Sequence, residues 1–424
     1  MSTHQTTSLL LGLAVIVLLA RLLGALARRL GQPAVIGEVL AGIALGPTVV
    51  NGALSEHLFP ADTRPLLSAL AAVGVAVFMF IVGLEVDATL LRGNTSLATT
   101  VSLSSILVPF GLGTLLALYL ADDYGTDDKT GFMLFLGIAM SITAFPVLAR
   151  ILTDRHMTHT SLGAMAIACA AIGDVLAWTL LAVIVAASGS ADADQWRMLL
   201  AIPYLAAMLL AVRPLLRRYA ESRPHLTLTP TVFACVLAGL LLSAAATEWV
   251  GLHYIFGAFL FGAVLPRTGT DRLRTHIHDR LGQMTSTLLL PVFFLVSGLQ
   301  VDLSTLDGSA LGALALILLV AVGGKFLGAF TAARLHRMPP RPAAALATLM
   351  NTRGLTELIV LNVGLQLGFL GRDLYSLMVV MAVITTAMTG PLLNWILGRP
   401  TAADTATPYA PDPPAETETV RTAA

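Results

Sequence analysis

The sequence predicts an all-α protein that crosses a membrane about thirteen times. Of its 424 residues, 56% are hydrophobic and 12% are charged, and apolar runs recur along almost the whole chain. A helix needs roughly 20 apolar residues to span a bilayer, and most of these runs reach that length. The formal net charge is zero, so the composition gives no reason to expect a nucleic-acid partner.

Thirteen segments are predicted to span the membrane. Their bounds are 8–30, 34–51, 65–86, 97–120, 132–151, 161–187, 198–212, 229–249, 252–265, 283–299, 311–333, 343–367 and 374–397. We therefore expect a membrane domain over residues 1–397. The tail, 398–424, is rich in Pro, Ala and Thr, a composition that cannot bury a core, and we expect it to be a disordered cytoplasmic segment.

The distribution of Lys and Arg predicts the orientation. Connections that follow odd-numbered spans contain sixteen of these residues, whereas those that follow even-numbered spans contain four, Arg64, Lys129, Arg197 and Arg372. Because basic residues concentrate in cytoplasmic connections, we expect the N-terminus outside and the C-terminus in the cytoplasm of a cell-membrane protein.

Two pairs of segments indicate an internal repeat. Residues 78–87 (FMFIVGLEVD) resemble residues 293–302 (FFLVSGLQVD), and a Val35, Gly37, Gly42 pattern resembles Ile255, Gly257, Gly262 at nearly the same offset. The matched segments lie in the third and tenth spans and in the second and ninth spans. Because each pair is seven spans apart, an odd number, the two halves must have opposite topology in the membrane. We predict repeat one over about 8–187, a linker helix over 198–212 and repeat two over about 229–397.

Two spans carry interruptions at matching positions of the repeats. Ser141, Thr143 and Pro146 interrupt the fifth span, and the polar run 351–357 (NTRGLTE) interrupts the twelfth. Proline removes a backbone donor, and nearby hydroxyls can satisfy the carbonyls that it frees. Transporters built from inverted repeats bind their substrates at such interrupted helices, so we expect the two interruptions to cross near Asp174.

A few charged residues fall inside predicted spans. Asp174 lies in the apolar span 161–187 with no residue of opposite charge in it, and an intramembrane carboxylate costs roughly 2.5–3.5 kcal/mol to insert. This favours a proton- or cation-binding site. Arg353 and Glu357 are four residues apart, which predicts a structural ion pair. Lys325 has no carboxylate in its own span, so Asp174 is its best predicted partner, and Glu38 is a further structural or gating candidate.

Three segments together resemble the monovalent cation:proton antiporter-2 family: residues 142–152 (ITAFPVLARIL), 174–178 (DVLAW) and 350–362 (MNTRGLTELIVLN). The resemblance covers about 8–397. It implies a homodimer of thirteen-span protomers, each with a dimer domain and a moving core domain. It also implies that Asp174 exchanges cation for proton, that Thr143 and its neighbour Ser141 line the crossover, and that Lys325 is the core-domain lysine.

Gly173 departs from this family pattern. Relatives usually carry Asn, Asp or Gln immediately before the carboxylate, and a second Asp there accompanies electrogenic exchange. Glycine at this position therefore indicates electroneutral exchange, and it removes a side-chain ligand.

We expect a secondary transporter that exchanges Na⁺ or K⁺ for protons by alternating access, and not an enzyme. It would need no cofactor and no metal beyond the transported cation. Two alternatives remain open on the same fold: a cation channel or sensor, and an ion-coupled transporter of organic solutes, for which Gly173 would leave room.

Overall fold

The computed structural model describes residues 3–47, 56, 58–85, 95–155, 157, 160–187, 200–222, 228–250, 252–266, 270–304 and 308–398. These residues are helical or lie in turns and connections, with no strand among them. The predicted tail, 398–424, lies outside them except for Gly398. Eight of the described helices are long and apolar enough to cross a membrane, and four more apolar helices are shorter. The all-α membrane fold is confirmed, and the count of thirteen spans stays a prediction.

The helices are labelled in chain order. They are α1 (Thr3–Arg29), α2 (Ala34–Leu45), α3 (Arg64–Glu85), α4 (Thr95–Tyr124), α5 (Lys129–Ser141), α6 (Phe145–Asp154), α7 (Ser161–Ala187), α8 (Ala201–Ala207, continuing through Met208–Val212 and Arg213–Glu221), α9 (Pro230–Val250), α10 (Tyr254–Val264), α11 (Asp271–Met284, continuing through Thr285–Leu289 and Leu290–Gly298), α12 (Gly308–Leu335), α13 (Pro340–Met350), α14 (Leu355–Gln366) and α15 (Arg372–Leu397).

Three predicted bounds differ from the described helices by six residues or more. The second span was predicted to reach residue 51, but α2 ends at Leu45, where Gly46 adopts an extended conformation before Pro47. The tenth span was predicted to begin at residue 283, whereas α11 begins at Asp271. Leu273, Ile277 and Leu281 are buried there at helical spacing, so an amphipathic helix forms despite the many charges. The seventh span was predicted to end at residue 212, and α8 continues to Glu221.

The helices form two sets that pack mainly within themselves. The first set contains α1–α3 and α8–α11, and the second contains α4–α7 and α12–α15. Contacts between the described helices of different sets are much sparser and include those of α2 with α15. Each set draws helices from both predicted repeats. This arrangement places α7, which carries Asp174, in the second set.

Glycine contacts in the first set support the internal repeat. A Cβ added to Gly42 would lie 2.8 Å from both the Leu295 carbonyl oxygen and the Gly298 Cα atom. A Cβ added to Gly262 would lie 2.2 Å from the Phe80 carbonyl oxygen and 3.1 Å from the Gly83 carbonyl carbon. In the sequence repeat, Gly262 corresponds to Gly42, and Phe80 and Gly83 correspond to Leu295 and Gly298. Small residues therefore let α2 approach α11 and α10 approach α3 in equivalent ways.

Candidate functional site

Two helices of the second set are interrupted. Helix α5 ends at Ser141, Ile142 is extended (φ −70°, ψ 141°), and α6 begins at Phe145 with Pro146 in its first turn. Helix α13 ends at Met350, and α14 begins at Leu355 after Gly354. Gly354 has φ 146°, a conformation that residues with a Cβ rarely adopt. Proline in one break and glycine in the other thus separate each span into two half-helices.

The two breaks bind each other. The Ala144 N–H donates to the Thr352 carbonyl at 2.9 Å, and the Thr143 hydroxyl donates to the Met350 carbonyl, also at 2.9 Å. Thr386 of α15 donates to the Arg353 carbonyl at 2.7 Å. Backbone groups freed by a break have no water partner in a membrane, so these bonds make the irregular segments tolerable at this depth. The structure brings together the two interruptions that the sequence predicts to cross.

Two cations cover the C-terminal end of α5. Arg353 donates from Nη1 to the Ala139 carbonyl at 2.8 Å and from Nη2 to the Met140 carbonyl at 2.5 Å. Lys325 donates from Nζ to the Ser141 carbonyl and, at 2.5 Å, to the Thr143 hydroxyl oxygen. The last carbonyls of a helix lack intrahelical partners and carry a partial negative charge. Lys325 and Arg353 therefore compensate both the missing hydrogen bonds and the charge.

Arg353 also pairs with Glu357. Its Nη1 atom lies 2.9 Å from Glu357 Oε2, and both side chains are completely buried. This is the contact that the four-residue spacing predicts. A buried ion pair holds its geometry when additional hydrogen bonds satisfy the charged groups. The two α5 carbonyls provide them for Nη1 and Nη2 of Arg353, whereas Arg353 Nε and Glu357 Oε1 are buried without a hydrogen-bond partner. The pair thus connects α14 to the end of α5.

Asp174 lies on α7 and is only 3% exposed. The Lys325 ammonium is close enough to interact with it through space, whereas the hydrogen bonds named for Lys325 go to Ser141 and Thr143; the Lys325–Asp174 partnership stays a prediction. Trp178, one turn further along α7, makes an edge-on contact with Phe256 of α10 at 6.4 Å between ring centroids. Residues four apart share a helix face. The face that carries Asp174 therefore points toward the first helix set.

Gly173 leaves space beside Asp174. A Cβ added to Gly173 would meet no heavy atom within 4 Å, although the residue is buried. The absence of a side chain here is therefore not required by close packing. A substituent could occupy this position without displacing a neighbour.

Glu38 belongs to the other helix set. It is on α2, where Gly24 packs near it and Arg21 and Arg28 are within coulombic range. Val35 and Val39 of the same helix line a small cavity together with Gly354 of the second break, but the neighbours named for the Glu38 carboxylate are those of α1. Its structural or gating role stays a prediction.

The sequence analysis did not single out Asn351 and Thr352 as candidate ligands. Among the described residues, Asn351 Oδ1 and Thr352 Oγ1 are buried oxygens without a hydrogen-bond partner. Buried polar atoms are normally satisfied, which makes both oxygens additional candidate ligands. The polar run 351–357 in an apolar span indicated that ligands could lie here. The spacing of its residues did not show which side chains find hydrogen-bond partners and which do not.

Comparison with known proteins identifies the family. A family model described as the transmembrane part of sodium/hydrogen exchangers matches residues 14–399. The chain belongs to this sodium/hydrogen exchanger family. This membership confirms the resemblance carried by the three sequence segments, and with the apolar helices it makes the chain a multi-pass membrane protein.

Relatives of this exchanger-family chain are similar over nearly all its length. The Na(+)/H(+) antiporter NhaS4 of Synechocystis sp. is 39% identical over 413 residues, which cover 94% of the chain and 100% of that protein. Cation/H(+) antiporter 20 of Arabidopsis thaliana is 37% identical over 397 residues, 89% of the chain and 47% of that protein. The chain thus spans about half the length of the plant relative.

A solved structure has the same fold. The sodium proton antiporter MjNhaP1 of Methanocaldococcus jannaschii matches with a TM-score of 0.67 and 15% sequence identity, over 93% of the chain and 98% of that protein. The exchanger-family chain therefore shares the MjNhaP1 fold.

Proposed function

We propose that the chain exchanges a monovalent cation, Na⁺ or K⁺, for a proton across a membrane, with Asp174 as the group that binds both. Family membership supports cation/proton antiport and a transporter as opposed to an enzyme. The observation that carries the assignment of the site is a buried carboxylate, 3% exposed, within coulombic range of a lysine that is bonded to an interrupted helix.

The oxygen atoms near the crossing suit a hard cation. Alkali ions, like other hard cations, bind oxygen ligands such as carboxylates, carbonyls and hydroxyls. Asn351 Oδ1 and Thr352 Oγ1 are buried with no other described partner, and Ser141 and Thr143 supply the oxygens that Lys325 occupies. We infer that Asp174 binds the dehydrated cation with oxygens of this group.

The charges favour a one-for-one exchange. Among the described residues, the buried ionisable groups of Asp, Glu, Lys and Arg are Asp174, Lys325, Arg353 and Glu357, and their formal charges sum to zero. A proton on Asp174 or a cation beside it adds one positive charge in either case. Both together would add two charges in a low-dielectric site, which is strongly unfavourable. Proton and cation therefore compete for the same carboxylate.

Alternating access would follow from movement of the second helix set against the first. The Asp174 face of α7 points at the first set through Trp178 and Phe256, so displacement along this boundary would carry the carboxylate between the two membrane surfaces. We infer an elevator-type movement in a homodimer, with the N-terminus outside and the C-terminus in the cytoplasm.

Reconstitution tests the proposal. Purified protein in liposomes with an internal pH dye should show proton movement on addition of Na⁺ or K⁺, and a panel with Li⁺ and Rb⁺ gives the ion preference. Asp174→Asn should abolish this movement while the protein remains folded by size-exclusion chromatography. Asp127→Asn, a change at an exposed residue, is the matched control.

The same assay separates the alternatives. A channel would pass cations without moving protons, and an organic-solute carrier would give no proton movement with inorganic cations alone. Cation-driven proton movement in Asp174→Asn would place the exchange site elsewhere.

A further inference from the structure

Among the described residues, several hydrogen bonds between the two helix sets lie together at one end of the helices. We call the residues that make these bonds the polar seam. On the side of the first set they are Ser297 of α11 and three residues of the adjoining connections, His253, Gln300 and Asp302. On the side of the second set they are Asn362, Gln366, Tyr375 and Ser376. They lie where α11 and α14 end and α10 and α15 begin. In the predicted topology this is the external end.

Asn362 is at the centre of the seam. Its Nδ2 atom donates to the Ser297 hydroxyl at 2.7 Å and to the Tyr375 hydroxyl at 3.2 Å, and its Oδ1 atom accepts from Gln300 at 3.3 Å. The Tyr375 hydroxyl donates to the Ser297 carbonyl at 3.1 Å. Ser297 and Tyr375 are 1% and 0% exposed. One amide group of the second set thus holds two side chains of the first.

Two further bonds extend the seam. His253 Nε2 and Gln366 Oε1 are 3.2 Å apart, and the Asp302 N–H donates to the Ser376 hydroxyl oxygen at 3.0 Å. At the opposite end of the helices, Gln32 donates to the Ala387 carbonyl at 3.2 Å, and the neighbouring Val35 packs against the apolar core of the second set. Among the described residues, more of the named hydrogen bonds between the sets thus lie at the seam.

A small cavity lies against the seam. Its volume is about 60 Å³, and its lining includes Ser68 of α3 together with His253, Gln300, Asn362 and Gln366. This volume holds only a few water molecules, and its walls come from both helix sets. Separation of the sets at the seam would enlarge it into a polar opening.

We propose that the polar seam is the closed external gate of the transport pathway and that Asn362 is its central gating residue. The inference rests on the proposed alternating movement of the two helix sets. It specifies which contacts must separate before an ion can enter from the external side. The bonds of Asn362 stabilise the state in which the external end is closed, and each cycle requires them to break and re-form.

The rate at which an external reagent labels a cysteine behind the seam measures how often the gate opens. This measurement does not require transport. A cysteine replaces Ala72, which also lines the cavity, in a background with Cys235→Ser, because Cys235 is exposed and Cys169 is buried. A membrane-impermeant maleimide is applied from the external side. Asn362→Ala and Ser297→Ala should raise the labelling rate several-fold, since each removes bonds across the seam.

Ser102→Ala is the matched control for Ser297→Ala. Ser102 is buried, and its hydroxyl joins α4 to Cys169 of α7 at 2.8 Å, within the second set. The variant Ser102→Ala removes a hydrogen bond of the same kind outside the seam. The labelling rate of the cysteine at residue 72 should therefore stay unchanged in this variant. Equal rates in Asn362→Ala, Ser297→Ala and Ser102→Ala would show that the seam does not close the external end.

A cross-link tests whether the seam must open. The Ser297 and Asn362 side chains are in contact at 2.7 Å, so the thiols of Ser297→Cys with Asn362→Cys should be close enough for a short bis-methanethiosulfonate reagent to cross-link them through disulfide bonds. Exchange in liposomes should fall more than tenfold on cross-linking and return with dithiothreitol. Full exchange by completely cross-linked protein would overturn the gate.

The two failures are distinguishable. If wild-type protein shows no cation-driven proton movement, the proposed function is wrong, whereas the labelling rates still decide whether the seam is a gate. If wild-type protein transports and the cross-linked protein does so equally, the gate alone is wrong.

Discussion

Arg353 and Glu357 lie one turn apart, with Nη1 and Oε2 separated by 2.9 Å and both side chains 0% exposed. Arg353 continues beyond this pair to two carbonyls at the end of α5. The pair is therefore part of the joint between two interrupted helices, in contrast to Arg217 and Glu221, which have the same spacing at 2.7 Å but are 69% and 51% exposed.

We predict that Arg353→Met destabilises the protein strongly, by about 3–5 kcal/mol, because it leaves Glu357 buried without its partner. The matched change Arg217→Met should leave the stability almost unchanged, since exposed pairs contribute little. Thermal unfolding of the purified proteins measures both. Similar melting temperatures for the two variants would contradict a structural role of the buried pair.

Thr143 provides a second test of the crossing. Its hydroxyl donates to the Met350 carbonyl and accepts from Lys325, so Thr143→Val leaves both groups without that partner at nearly constant shape. We expect a loss of about 1–3 kcal/mol in stability and a clear reduction of exchange. Thr143→Ser keeps the hydroxyl and should restore both properties.

The control for this change is Thr179→Val on α7. Thr179 is exposed and bonds only to the Val175 carbonyl of its own helix among the described contacts. The stability and the exchange rate of the Thr179→Val variant should match those of the wild type. A loss in Thr179→Val as large as that in Thr143→Val would mean that the crossing is not responsible.

Glycine substitutions test the space beside Asp174. Gly173→Ala meets no atom within 4 Å, and alanine is favoured over glycine in a helix by about 0.5–1 kcal/mol, so stability should be retained or increased. Gly262→Ala places its Cβ 2.2 Å from the Phe80 carbonyl oxygen and should be strongly destabilising. Detergent melts compare the two, and a destabilised Gly173→Ala would show that the space is filled.

We predict electroneutral exchange that Gly173→Asp converts to an electrogenic one. In the wild type, a membrane potential set with valinomycin should leave the rate of Na⁺-driven proton movement unchanged, because one cation replaces one proton. A second carboxylate at residue 173 can carry an additional proton, so the rate of that variant should depend on the potential. A potential-dependent wild type would instead indicate that Lys325 releases its proton during the cycle.

The sequence predicted much of the fold because the signals were local. Apolar runs gave most helices within a few residues, and Ser141 to Pro146 and Asn351 to Glu357 gave both interruptions. It missed the beginning of α11, where Leu273, Ile277 and Leu281 form a buried stripe among charged residues. Average hydrophobicity hides such a stripe, although the helical period contains it.

The sequence by itself determined that this is a helical membrane protein with two broken spans, an Arg353–Glu357 spacing suited to pairing, and Asp174 in an apolar span. Only the tertiary structure decided that Lys325 binds the end of α5, that Asn351 and Thr352 keep buried oxygens without described partners, and that Asn362 joins the two helix sets. These contacts link residues far apart in the chain. Their existence depends on how the helices are placed against one another, which the local pattern of residue types does not contain.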